Sequence, residues 1–146
     1  MGKRICLLVF VIIAGICTTG AFASNWQLVG KMVDGSNCYL DYDSVCLVQY
    51  EINYNYHINA TIKIMPTTDV VFKQYGKSVA SIIEQWKLHG REGFYEVVSR
   101  KIYGTDGKMI RKYNAKQCEQ DGGDMLDGTI SETIFQKCWH ILGQGR

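Results

Sequence analysis

Val48-Gln-Tyr-Glu-Ile-Asn-Tyr-Asn-Tyr-His-Ile-Asn-Ala-Thr-Ile-Lys-Ile64 alternates without a slip. Val48, Tyr50, Ile52, Tyr54, Tyr56, Ile58, Ala60, Ile62 and Ile64 take every second position, and Gln49, Glu51, Asn53, Asn55, His57, Asn59, Thr61 and Lys63 fill the gaps. Successive side chains of an extended chain point to opposite faces, so period two predicts a sheet with one buried and one wet face. The seventeen residues exceed a usual strand of about 3 to 10, and the expected break falls in the Asn-rich middle.

Outward from this stretch, the other elements declare themselves in turn. Residues 26–31 read as a short strand, Asp34-Gly35-Ser36-Asn37 as a turn and residues 38–42 as a second strand. Residues 77–89 change period: Val79, Ile82, Ile83 and Trp86 fall at i, i+3, i+4 and i+7, which predicts a helix stopped at Gly90. Residues 94–103 and 108–116 predict a hairpin turned at Gly104-Thr105-Asp106-Gly107. Thr129 followed by Glu132 forms a capping-box pattern ahead of Ile130, Ile134, Cys138 and Ile141, the stripe of a terminal helix. The expected fold class is therefore α+β: an antiparallel β-sheet with two helices packed against it.

The amino terminus carries a different signal. Lys3 and Arg4 precede an apolar run over residues 5–17, and Ala21-Phe22-Ala23 is a small-x-small cleavage site. Residues 1–23 are thus expected to be a cleavable secretory signal, cut after Ala23, with residues 24–146 forming one exported domain in the periplasm or at the cell surface. The apolar run is too short for a membrane span, which needs about 20 residues, so no stable span is expected after cleavage. Cys17 follows Ile16 rather than the small residue of a lipobox, so lipid attachment is not expected.

Losing Lys3 and Arg4 takes the 16 basic residues to 14, equal to the 14 acidic ones. A chain without net charge lacks the cationic excess that drives binding to phosphate backbones, and nucleic acid is not an expected partner. The charge is nonetheless segregated: Arg100, Lys101, Lys108, Arg111, Lys112 and Lys116 are opposed only by Asp106, and Glu119, Asp121, Asp124, Asp127 and Glu132 follow. This pattern reads as two solvated surfaces, or as a basic strand face that meets an acidic partner.

Of six cysteines, Cys38, Cys46, Cys118 and Cys138 remain after cleavage, an even set in a chain bound for an oxidising space. Two disulfides are expected. A three-residue loop centred on Tyr42 would set Cys38 opposite Cys46 across a hairpin, at a separation a disulfide accepts, leaving Cys118 for Cys138. The spacings of seven and nineteen intervening residues do not fit a zinc site.

Chemistry is otherwise sparse. His57 reads as a solvated strand residue, His89 as a helix-end cation, and His140 as a neighbour of an oxidised Cys138. Asp121, Asp124 and Asp127 lack the spacing of a calcium loop. No nucleophile elbow, metalloprotease helix or phosphate loop occurs, so neither enzymatic activity nor a cofactor or metal is expected. Nine tyrosines suit a recognition surface or a sheet core.

Taken in order, Trp26-Gln-Leu-Val-Gly30, Tyr39-Leu-Asp-Tyr-Asp-Ser44, Arg100-Lys-Ile-Tyr-Gly-Thr-Asp-Gly107 and Asp127-Gly-Thr-Ile-Ser-Glu132 ending in Cys138 resemble the bacterial surface-adhesin protein E family. The resemblance implies a small exported antiparallel sheet with packed helices and no enzymatic activity. It also implies binding to a protein ligand, such as a host matrix protein, in adhesion. An envelope protein of periplasmic duty, for example a hydrolase inhibitor, is the alternative reading, and self-association is left open.

Overall fold

Residues 48–49 and 56–64 of the alternating stretch lie on two neighbouring antiparallel strands, and most of the Asn-rich middle, where the break is expected, falls outside the described residues. The computed structural model describes residues 24–49, 55–67 and 78–143, so the expected leader, its expected cleavage site at Ala23 and residues 50–54 lie outside the described residues. Among the described residues the strands are β1 (Trp26–Lys31), β2 (Asn37–Gln49), β3 (Tyr56–Met65), β4 (Val79–His89), β5 (Phe94–Gly104), β6 (Met109–Tyr113) and β7 (Gly123–Asp124), with one α-helix, α1 (Ile130–Ile141). All pairings are antiparallel. Strands β1 to β6 follow one another in spatial order, and β7 pairs β5.

Two sequence expectations are corrected here. Residues 79–89 are a strand, not a second helix. Ile82, Glu84, Trp86 and Leu88 share one face of β4, and Ser81, Ile83, Gln85 and Lys87 the other. A glutamate on the buried face hid this alternation, while Val79, Ile82 and Ile83 happen to satisfy helical spacing too. Their β-branched side chains suit an extended backbone, and β3 and β5 supply hydrogen-bonding partners on both sides.

The disulfide staple is the other correction. Cys38, Cys46, Cys118 and Cys138 are all free thiols. No hairpin turns at Tyr42; β2 continues through an irregularity between Asp41 and Cys46. Cys38 therefore pairs with Ile64 and Cys46 with Asn59, five residues apart on β3. At about 3.3 Å per residue this is roughly 17 Å, beyond the Cα separation of about 7 Å that a disulfide tolerates. The two thiols also point to opposite faces, Cys38 fully buried and Cys46 exposed. Cys118 belongs to a 3-10 turn seated on β5, whereas Cys138 belongs to a helix seated on β1 and β2.

One face of the sheet carries the core. Cys38, Leu40, Ile58, Ala60, Ile62, Ile64, Trp86, Leu88 and Val97 meet Ile134 and Cys138 of α1 and Cys118 of the 3-10 turn. Thr129 caps α1 as the sequence indicates, its hydroxyl accepting from the Glu132 amide at 3.3 Å, while the Glu132 carboxylate accepts from Gly128 N at 3.0 Å. Packing is tight enough to demand glycine at two places. A Cβ on Gly90 would stand 2.3 Å from the Phe135 ring, and one on Gly122 would stand 2.2 Å from the Tyr95 carbonyl oxygen. The second contact involves backbone, which cannot swing aside.

The expected turns at 34–37 and 104–107 are present. Met32 N donates to Ser36 O at 2.8 Å, and Gly107 N donates to Gly104 O at 3.0 Å.

Candidate functional site

Helix α1 and the 114–126 segment cover only the core face, so the opposite face of the six-stranded meander has no second layer among the described residues. Register arranges this open face in rows. One row runs Leu28, Tyr39, Lys63, Ile83, Lys101 and Lys112, one residue from each of β1 to β6. With strands about 4.8 Å apart, it spans roughly 24 Å.

Aromatic rings sit along this row. The Lys63 ammonium lies 4.5 Å from the Trp26 ring centroid and 5.4 Å from that of Tyr39, close enough for cation–π attraction. Trp26, Lys63, Ile83 and Tyr103 together line a shallow groove of about 410 Å³. Asp41, an acid on this face, is committed to the backbone amides of Asn25 at 3.0 Å and Asp43 at 3.2 Å. Lys63, Lys101 and Lys112 take part in no ion pair among the described residues.

A histidine cluster occupies the end of the open face away from the groove. The His57 and His89 rings lie 5.7 Å apart, Phe94 stacks on His89 at 4.4 Å, and His89 Nε2 meets Glu96 Oε2 at 2.8 Å. His57 is buried, not solvated as its polar surroundings suggest. Burial, with the charges of Lys87 and His89 beside it, lowers its pKa below 6.5, against weaker opposing effects of Asn59 and Glu96. No group of three or more His, Cys, Asp or Glu among the described residues is arranged to hold a metal ion.

Behind the sheet lies a buried charge network that sequence reasoning did not find. Glu84 is 4% exposed on the core face. Its carboxylate accepts from Trp86 Nε1 at 2.7 Å and from Arg100 Nε at 2.7 Å, and Arg100 also reaches Asp121 at 2.9 Å. Burial opposes the Arg100 charge, but Glu84 and Asp121 outweigh it and raise the guanidinium pKa. The network pins the 119–124 segment onto β5 and stands apart from the open face. One local signal existed: Glu84 breaks an otherwise apolar alternation, and a buried carboxylate requires a partner.

The remaining candidate residues separate. Burial pushes the Cys38 thiol up to about 12, with Glu84 adding to it, pushes Cys138 up to about 12, and raises Cys118. Thiols so shifted are poor nucleophiles. His140 is exposed while Cys138 is buried, so they share no helix face. Of the basic group, Arg100 turns inward to Glu84, whereas Lys101, Lys108, Arg111, Lys112 and Lys116 are exposed. Comparison with family models, curated proteins and solved structures found no match for this chain.

Proposed function

We propose that this chain is an exported, non-enzymatic binding protein of the surface-adhesin E type, presenting the open face of its sheet to a protein partner outside the cytoplasm. The observation that carries this reading is that face, which no other described residue covers with a second layer, where Trp26, Tyr39 and Tyr103 are half-buried around Lys63 and Ile83. Aromatic rings give large contact area at small entropic cost, and an uncovered sheet surface offers them to a macromolecule. The buried thiols of Cys38, Cys118 and Cys138, held protonated, are compatible with export, since oxidation proceeds through the thiolate.

Solid-phase binding to laminin, fibronectin and collagen tests the reading. Saturable binding is expected, and it should fall in a W26A/Y39A/Y103A variant that keeps the parent circular dichroism. Absence of saturable binding to every matrix protein refutes the adhesin role, and recovery of one envelope hydrolase instead would favour the inhibitor alternative. Fractionation tests export separately: the product should begin at Ser24 outside the cytoplasm, and an intact leader on a cytosolic product would overturn it.

A further inference from the structure

The row across the open face contains an arrangement that folding alone would disfavour. Lys101 on β5 lies directly opposite Lys112 on β6, and Lys63 stands in the same row two strands from Lys101. Like charges directly opposite one another destabilise a sheet. The next lysine on this face is placed differently: Lys87 on β4 lies opposite Glu96 on β5. Neither Lys101 nor Lys112 has an acidic partner among the described residues, and both are exposed. The core face answers its charges with Glu84, Arg100 and Asp121 in contact, whereas Lys63, Lys101 and Lys112 meet no acid among the described residues, Lys63 resting instead on the Trp26 and Tyr39 rings.

We propose that this row is a binding site for a linear acidic polysaccharide, laid across the strands with its anionic groups on Lys63, Lys101 and Lys112 and sugar rings against Trp26, Tyr39 and Tyr103. The cations follow a straight line at right angles to the strands, roughly 14 Å from Lys63 to Lys112 at about 4.8 Å per strand. A peptide added to the β6 edge would run along the strand and meet only Lys112 of this row, so the geometry favours a polymer crossing the sheet. The groove beside Lys63 places the Trp26 and Tyr103 rings along the same path. Flat rings accept the apolar faces of sugars, while lysines supply point charges for carboxylate or sulfate. The inference rests on the reading of the open face as a binding surface and adds the chemistry of its ligand.

Calorimetric titration of the purified protein with heparin, dextran, poly-glutamate and oligodeoxythymidylate tests it. Heparin should bind and weaken as salt rises, and dextran should not bind. K101Q/K112Q should weaken heparin by about tenfold or more, whereas K116Q/K137Q, which removes the same charge from the opposite side of the sheet, should change it by less than about twofold. Equal loss in both variants would reduce the interaction to net charge and overturn the site. Tighter binding of poly-glutamate or oligodeoxythymidylate than heparin would overturn the choice of polysaccharide. Matrix-protein binding retained by K101Q/K112Q, with no heparin affinity in the parent, would sink this inference alone; loss of both activities in the parent would sink the adhesin reading with it.

Discussion

Replacing Arg100 with methionine isolates the strongest electrostatic commitment in the fold. The guanidinium gives Glu84 two close contacts at 2.7 Å, from Nε and Nη2, and Glu84 is nearly inaccessible to water. In R100M the carboxylate keeps only the Trp86 indole N–H. Breaking a buried pair from one side typically costs about 3 to 5 kcal/mol. Arg100 itself retains 22% exposure, so the low end, near 3 kcal/mol, applies. The outer arm to Asp121, whose side chain is 36% exposed, contributes far less, and D121N should cost under about 1 kcal/mol. In urea titrations with a slope of about 1.5 to 2 kcal/mol/M, R100M should lower the midpoint by roughly 1.5 to 2 M. The double variant E84L/R100M removes both charges and should be more stable than R100M alone, giving a coupling energy of at least about 2 kcal/mol. A loss below about 1 kcal/mol in R100M, or strict additivity in the double variant, would refute the view that this pair is mutually dependent.

Three further outcomes follow from the packing. Under native conditions iodoacetamide should modify Cys46 quickly and leave Cys38, Cys118 and Cys138 intact, because of these four Cys46 alone is exposed; peptide mapping by mass spectrometry reads this, and labelling of Cys138 at the same rate would contradict its burial. G122A should lower the urea midpoint by at least 1 M, roughly 2 kcal/mol or more, since the new methyl group meets the Tyr95 carbonyl oxygen and lifts the 119–124 segment from β5; wild-type stability would mean that the segment is not docked. His57 is held neutral, so its contribution is fully present above pH 6.5 and is lost as pH falls through the lowered folded pKa. Acidification should therefore destabilise the parent more than H57Q, and parallel stability curves from pH 7.5 to 5 would remove His57 as the cause.

The alternation of residues 48–64 was sufficient to place β3 and to assign its faces, because period two is a local property of an extended chain. The cap at Thr129, the turn at 34–37 and the hairpin at 104–107 were equally legible, each written in residues that bond to near neighbours. Residues 79–89 were not, since Val79, Ile82, Ile83 and Trp86 fit two periods at once and the choice depended on β3 and β5 offering partners on either side. The cysteines failed as a guide for a related reason: a local hairpin at Tyr42 is plausible in isolation, but β3 pairs with β2 on both sides of the irregularity between Asp41 and Cys46 and keeps the two cysteines on one continuous strand.

Register lies beyond any single segment. Lys63, Lys101 and Lys112 occur on three strands and come into line only when β4 and β5 set their stagger, and Glu84 finds Arg100 by the same pairing, sixteen residues away. Periodicity and turn chemistry act over a few residues, so sequence alone determined most strands, the caps and which side of β3 is wet. Charge pairing, thiol separation and the exposed cationic row are distances between strands, and a chain acquires those only on folding.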